Sequence, residues 1–202
     1  MEARNEYQLP VNQEYFKNID REKSPAHKGK LKYAVDFACP EGTPIKASRS
    51  GEIVFVREDS DVGGPNEKYW NMGNRLVIRH ENGEYTAYEH FKYNSSTVKV
   101  GDKVKTGQII CRSGNTGYTF GPHLHFEVFK FIGPNKDEDY QTLKVEFPEE
   151  RSPPHSKLER ILVGSFFLIS SIAFFSIHYI RGKDTSGFKP SEELPPSKFN
   201  LL

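Results

Sequence analysis

Between residues 31 and 128 the chain alternates short apolar runs with glycine, asparagine, aspartate and proline. Examples of these runs lie at 31–37, 53–56, 75–79, 85–88 and 124–128. Short runs that are rich in β-branched and aromatic residues and bounded by turn-forming residues predict strands. No amphipathic helical period interrupts them, so we expect an all-β domain with a compact antiparallel sandwich or barrel-like architecture.

One long loop is predicted within this β-rich region, at residues 59–72. It contains two adjacent glycines, a proline and the single tryptophan, Trp70. Loops of this length in compact domains often form the rim of a functional site. We therefore expect residues 59–72 to border the site of this domain.

A different pattern occupies residues 161–180, where 20 consecutive residues lack Asp, Glu, Lys and Arg. A helix of that length measures about 30 Å, the thickness of a bilayer core. Its apolar residues surround the helix instead of forming one stripe, which favours a single C-terminal transmembrane helix. A buried helix of a soluble domain is the alternative, because four serines and His178 dilute the apolarity.

These patterns divide the chain into five segments. We predict an N-terminal lead-in at 1–24, the β-domain at 25–132, a proline-containing linker at 133–160, the span at 161–180 and a polar tail at 181–202. The first residues lack the apolar core of a cleavable export signal. We expect a single-pass membrane protein of the cell envelope, and the nearly balanced charges beside the span leave its sidedness open.

Charge and cysteine content narrow the function classes. The chain has 28 basic and 27 acidic residues, a net charge of +1, which disfavours a nucleic-acid partner. Its two cysteines, Cys39 and Cys111, are too few for a disulfide scaffold and match no zinc knuckle. They could pair with each other, although two small buried residues are the commoner situation.

Two histidines, His123 and His125, alternate within residues 121–127. On a strand, positions two apart share a face, so the two imidazoles converge while Leu124 and Phe126 pack on the other side. Taken alone, such a pair fits a polar solvent face as well as a metal site. Glycines at 114, 117 and 121 and a proline at 122 allow a tight approach of the backbone and favour the metal site.

Several ordered segments together point to a family, and they lie at 73–80, 88–90, 100–108, 114–117 and 121–127. Across roughly residues 25–130 the chain resembles peptidase family M23, the LytM or lysostaphin-type zinc endopeptidases with the Duplicated hybrid motif fold. The resemblance implies hydrolysis of peptide bonds in peptidoglycan stem peptides or cross-bridges. Peptidoglycan or another peptide would then be the substrate, with Zn²⁺ as the cofactor.

The resemblance also implies a set of site residues. The zinc ligands carried over are Asp36, His125 and an upstream histidine. Many members place that histidine four residues before the aspartate, where this chain has Lys32, and the longer spacing of a subgroup implies His27. Three such ligands and one solvent position are typical of catalytic zinc. His90 and His123 are implied as catalytic partners beside the metal, with the division of roles between them left open.

Three other residues admit alternatives. We expect His80, which ends a strand before a turn, to be structural. Tyr88 could line the cleft or pack in the core, and Glu127 could orient an imidazole of the site.

The competing function is a non-catalytic LytM-like module that binds the cell wall or regulates a hydrolase. A carrier barrel is disfavoured because no lysine lies at a carrier-type hairpin tip.

Overall fold

A computed structural model describes residues 1–135 and 139–148 of the chain. Within them the regular elements are twelve short strands and four single-turn 3-10 helices, and this part of the chain contains no α-helix. The 3-10 helices lie at Gln13–Tyr15, Gly29–Leu31, Glu67–Tyr69 and Glu81–Gly83. The strands are β1 (Ile19–Asp20), β2 (Val35–Phe37), β3 (Pro44–Lys46), β4 (Gly51–Arg57), β5 (Gly63–Gly64), β6 (Arg75–Arg79), β7 (Tyr85–Glu89), β8 (Lys103–Val104), β9 (Ile109–Arg112), β10 (Gly117–Tyr118), β11 (Leu124–Phe131) and β12 (Tyr140–Thr142).

Eight of these strands form one antiparallel sheet. Its order is β1-β2-β11-β7-β6-β4-β8, and β12 pairs with β11 as well. Strands β3 and β9 form a separate antiparallel pair, whereas β5 and β10 form a two-residue parallel pair. The all-β class and the antiparallel pairing predicted from the sequence are therefore confirmed for the domain.

The predicted membrane-spanning segment at 161–180 lies outside the described residues. Among residues 1–135 and 139–148, the structure has no helix with the length and apolarity needed to cross a bilayer. The span therefore stays a prediction from the sequence.

The two faces of the large sheet bury different clusters. Leu124, Phe126 and Val128 of β11 pack into the main core together with Leu76 and other apolar residues. The opposite face of the same strands buries a smaller cluster that includes Phe129. Since side chains alternate along a strand, His125 shares the second face with Phe129. The candidate metal centre therefore lies on the face away from the main core.

Both flanks of the predicted 25–132 domain contribute to the main core. Tyr7, Leu9 and Val11 are buried in it from the N-terminal side, and so are Leu143, Val145 and Phe147 from the C-terminal side. Backbone hydrogen bonds join Gln8 to Ser48 and Lys46 to Pro10. The segment expected as a lead-in and the described part of the linker thus contribute to the main core. Their signal in the sequence is an apolar residue at every second position, which the mixed charge and the prolines obscured.

The two cysteines, Cys39 and Cys111, are free thiols in the structure. Both are buried, and burial raises the pKa of each thiol. Of the two alternatives left by the sequence, the structure has two small buried residues and no disulfide between them.

Candidate metal centre

Asp36 and His125 are brought together by strand pairing. Asp36 is the middle residue of β2, between Val35 and Phe37, whose side chains are buried in the core. Its side chain consequently points to the other face of the sheet. In the antiparallel pair of β2 and β11, Asp36 lies directly opposite His125. The Asp36 Oδ1 atom is 2.8 Å from the Nδ1 atom of His125.

His27 reaches the same carboxylate from the loop before β2. Its Nδ1 atom lies 3.3 Å from the carbonyl oxygen of Arg21, and its Nε2 atom lies 3.2 Å from Asp36 Oδ1. The following 3-10 turn begins at Gly29, whose φ of +56° is a conformation that glycine adopts readily. The turn places a buried histidine nine residues before the aspartate within reach of that aspartate.

These three side chains fit a zinc ion. Two ligand atoms bound tetrahedrally at zinc distances are about 3.3 Å apart, and the Nε2 of His27 is 3.2 Å from Asp36 Oδ1. The ligand atoms of the three residues all lie within 4.8 Å of one another. Two imidazoles and a carboxylate are a donor set that zinc uses in catalytic sites.

Hydrogen bonding sets the charge state of the ligands without a metal. Burial opposes ionisation of Asp36, but hydrogen bonds with His125 and His27 outweigh it and lower the pKa of Asp36. Burial likewise opposes protonation of His125, yet hydrogen bonds to Asp36 and Glu127 raise its pKa well above the ordinary value. In the metal-free protein a proton on His125 therefore occupies the position where a metal would bind Nδ1.

His90 and His123 lie beside this group with a different kind of partner. The ring centroids of His90 and His123 are 4.7 Å apart, and those of His90 and His125 are 5.9 Å apart. The Nδ1 atom of His90 lies 2.7 Å from the Thr116 carbonyl oxygen, and that of His123 lies 2.8 Å from the Gly121 carbonyl oxygen. A carbonyl only accepts, so Nδ1 carries the hydrogen and Nε2 is left as an acceptor.

Burial keeps these two imidazoles neutral. Desolvation is the largest cause at both residues, and it lowers the pKa of His90 to about 4 with a further contribution from His123. The pKa of His123 is lowered by the same desolvation, although Asp36 opposes the shift. Near neutral pH both side chains are therefore neutral, with Nε2 unprotonated.

A close glycine contact supports the position of His90. His90 follows directly after β7 with a φ of +63°, a backbone conformation uncommon for residues other than glycine. Gly117 has a φ of +81°, and a Cβ atom there would lie 2.5 Å from the Cα of Gly73. The two glycines therefore let the segment that holds His90 through Thr116 approach closely.

A second triplet of potential ligands shares one member with the first. His90, His123 and His125 also place one ligand atom each within 4.8 Å of the others. This triplet has no carboxylate to balance a divalent charge, whereas the triplet with His27 contains Asp36. Catalytic zinc sites use either donor set, so the assignment of the ligands to His27, Asp36 and His125 stays a prediction.

The structure also shows the contacts of His80 and Tyr88, two residues whose roles the sequence left open. His80 is structural, with Nδ1 2.9 Å from the Ser50 carbonyl oxygen and Nε2 2.8 Å from Thr86 Oγ1. Tyr88 is fully buried in the main core and does not line the cleft. The left-handed backbone at His90 interrupts the strand alternation, so His90 does not share the face of Tyr88 although it lies two residues later.

Glu127 contacts the predicted ligand, and two further charged residues lie behind it. Its Oε1 atom is 3.1 Å from the Nε2 atom of His125, as expected of a group that orients the imidazole. The sequence did not identify Arg75 and Glu89, which form an ion pair of 2.9 Å on the same face. Their signal in the sequence was a charged residue next to a buried one at a strand end, with Arg75 before Leu76 at the start of β6 and Glu89 after Tyr88 at the end of β7.

Comparison with known proteins identifies the family. The model of peptidase family M23 matches residues 30–140, more than half of the chain. The chain belongs to this family. The match begins three residues after His27, so the assignment of His27 depends on the geometry of this structure.

Three relatives illustrate the similarity. The chain is 40% identical over 126 residues to an uncharacterized metalloprotease of Buchnera aphidicola, covering 61% of this chain and 29% of that protein. It is 35% identical over 127 residues to the peptidoglycan DD-endopeptidase ShyA of Vibrio cholerae, covering 63% and 26%. The crystallised catalytic domain of lysostaphin from Staphylococcus simulans is 33% identical, with 68% and 82% covered and a TM-score of 0.42. The matches thus span less than a third of the length of these two curated relatives.

Proposed function

We propose that this M23 family member is a zinc-dependent metalloendopeptidase that hydrolyses peptide bonds in peptidoglycan. The observation that carries the proposal is the convergence of His27 Nε2 and His125 Nδ1 on one carboxylate oxygen of Asp36, at 3.2 and 2.8 Å. Two neutral imidazoles lie next to these ligands. The site therefore combines a fitting zinc donor set with groups that can move protons.

The three ligands would hold Zn²⁺ with one coordination position left for solvent. When bound, zinc lowers the pKa of a coordinated water to about 7 and polarises a carbonyl group. His90 and His123 present Nε2 as an acceptor because their Nδ1 hydrogens are donated to backbone carbonyls. One of them would accept the proton of the attacking water, and that proton would then pass to the leaving amine from the same imidazole or from its neighbour, so that both are neutral again.

The substrate class is supported by the names of relatives and by exposed aromatic rings near the site. The names of two relatives describe a peptidoglycan DD-endopeptidase and a glycyl-glycine endopeptidase. Beside His123, the exposed rings of Trp70 and Phe120 flank Tyr118, with centroid distances of 5.4 and 5.5 Å to it. We propose that this aromatic rim packs against the substrate next to the scissile peptide bond.

The non-catalytic module is less favoured. Such a module does not need a complete set of ligands and proton-transfer groups, yet all five predicted side chains lie together here.

The membrane span at 161–180 and the location in the cell envelope remain predictions from the sequence. Cleavage of the domain by added protease in intact cells would test on which side of a membrane it lies.

The proposed activity is tested by incubating the full chain with purified peptidoglycan, with and without a chelator. Release of peptide fragments, detected by mass spectrometry, is expected only without the chelator and to return when zinc is added back. The matched control is His125→Ala, which should release nothing. A protein that binds zinc but releases no fragment from any wall type would be the non-catalytic module instead.

A further inference from the structure

A row of charged side chains runs across the sheet behind His125. In the register of strands β11, β7 and β6, His125 lies opposite Glu89, and Glu89 lies opposite Arg75. Glu127, two residues after His125, shares its face of the sheet. Three adjacent strands therefore place one imidazole, two carboxylates and one guanidinium side by side on the face that carries the metal centre.

The contacts within this row lead to the metal ligand. Glu127 Oε1 is 3.1 Å from His125 Nε2, the nitrogen that does not face Asp36. One terminal nitrogen of the Arg75 guanidinium is 4.0 Å from Glu127 Oε2, and the other is 2.9 Å from Glu89 Oε1. The carboxylate that contacts His125 is thus next to a guanidinium that a second carboxylate holds in place.

Burial gives these contacts their weight. The side chain of Glu127 is 1% exposed, and those of Arg75 and Glu89 are 13% and 21% exposed. A buried carboxylate needs a compensating partner, yet among the described residues Glu127 Oε2 makes no hydrogen bond. A second guanidinium, that of Arg57, also interacts with Glu89, so the two carboxylates behind the ligand face two cations.

We infer that Glu127 is a positioning residue for the metal centre and that Arg75, clamped by Glu89, keeps Glu127 in that position. Glu127 accepts the hydrogen at His125 Nε2, which fixes the tautomer so that Nδ1 presents its lone pair to the metal. Carboxylates in this position orient a ligand imidazole and strengthen its basicity. This inference rests on the proposed function, because it requires that His125 binds a metal.

Zinc binding by the full-length chain tests the inference independently of hydrolysis. Glu127→Gln keeps the size of the side chain and removes its charge, so zinc affinity, measured by competition with a chromophoric chelator, should fall about 10–100-fold. The visible absorption bands of the cobalt-substituted protein should shift as well. The urea midpoint of the metal-free variant serves as the folding control.

Two further variants complete the test. Glu89→Gln loosens the clamp on Arg75 without touching His125's partner, and zinc affinity should fall by a smaller factor than in Glu127→Gln. The matched control is Glu52→Gln, which removes the same charge from the exposed pair of Glu52 with Arg79, 2.8 Å apart, and should leave zinc affinity unchanged.

The outcomes separate the two proposals. If the Glu127 and Glu89 variants that fold bind zinc as tightly as the parent, the positioning role is wrong and the zinc site still stands. A parent protein that binds no zinc would overturn the proposed function itself. Loss of affinity in the Glu52 control to the same extent would show a general charge effect and would also overturn the inference.

Discussion

The two kinds of histidine in this site differ in what holds them. His125 is held between two carboxylates, whereas His90 and His123 donate to backbone carbonyls. All three are largely buried, and burial alone disfavours the protonated imidazole. Carboxylates overcome this cost and raise the pKa of His125, while the carbonyls do not, so the pKa values of His90 and His123 stay low. Among these three histidines the hydrogen-bond partner, more than the burial, sets the direction of the pKa shift.

The largest expected effect comes from removing the carboxylate that the ligands share. Asp36→Asn keeps the shape of the side chain but takes away the charge that holds His125 and balances a metal. We expect the purified variant to lose its zinc, about one equivalent in the parent, and all hydrolytic activity. Metal analysis of both proteins checks this. Retention of a full equivalent by Asp36→Asn would show that the shared carboxylate is not a ligand.

Changing a carbonyl-held histidine should separate chemistry from metal binding. His90→Gln is expected to retain zinc and to lower kcat about 10²–10⁴-fold, because a proton acceptor is lost while the ligands remain. His123→Gln should behave in the same way. Metal analysis and turnover on the same sample measure the two properties together. Loss of zinc from either variant would move that histidine into the ligand set.

The pH dependence of the metal-free protein follows from the raised pKa of His125. Its folded-state pKa lies above the unfolded value, so its stabilisation is fully present below about pH 6.5 and is lost as the pH rises through the folded pKa. Because the pKa of Asp36 is lowered in the folded protein, its carboxylate stabilises the fold above about pH 4. This stabilisation is lost as the pH falls through the folded-state pKa. The urea midpoint of the metal-free protein should therefore fall on the alkaline side. Asp36→Asn removes one of the two carboxylates that raise the His125 pKa, so it should reduce that pH dependence. A pH dependence that is unchanged in Asp36→Asn would place its origin elsewhere.

A smaller effect is expected at Phe120 of the aromatic rim, which lies on the segment whose carbonyls hold His90 and His123. Phe120 is 71% exposed and contacts Tyr118. Phe120→Ala should raise KM several-fold with kcat nearly unchanged, because it removes substrate contact and not the proton-transfer groups. Initial-rate kinetics on a defined cross-bridge peptide measures both constants. A fall in kcat alone would show that Phe120 supports the histidines instead of the substrate.

The smallest effect on the site is expected from Glu84, a carboxylate that binds backbone amides and no histidine of the site. Buried Glu84 accepts hydrogen bonds from the backbone nitrogens of Arg4 and Asn5 and from the Tyr7 hydroxyl. Glu84→Ala should lower the free energy of unfolding by about 1–3 kcal/mol and leave zinc affinity unchanged. Chemical denaturation and chelator competition give the two values. Weaker zinc binding would mean that the N-terminal segment helps to shape the site.

The fold class and the site residues were predictable to different depths from the sequence. Alternating apolar runs predicted the sheet, and the pairing of β2 with β11 then brings Asp36 to His125 because both interrupt apolar strands at the same register. The backbone carbonyls that hold His90 and His123 could not be predicted, since they come from a loop whose shape depends on the contact of Gly73 with Gly117.

Long-range charge pairing was equally hidden. Arg75 and Glu127 are 52 residues apart in sequence, and only the strand order β11-β7-β6 makes them neighbours. The same holds for Tyr7, which reaches the core from a segment that its mixed charge made look irregular. The local sequence pattern predicts the strands. The partners that shift the pKa of each side chain depend on which strands become neighbours in the sheet.

X-ray absorption at the zinc edge of the full-length protein tests the central claim most directly. The predicted first shell contains two imidazole nitrogens, one carboxylate oxygen and one solvent oxygen, at distances of about 2.0–2.2 Å. Asp36→Asn should abolish this spectrum, and His90→Gln should leave it unchanged. A shell of three imidazoles that is lost in His90→Gln would contradict the account, since His90, His123 and His125 would then be the ligands.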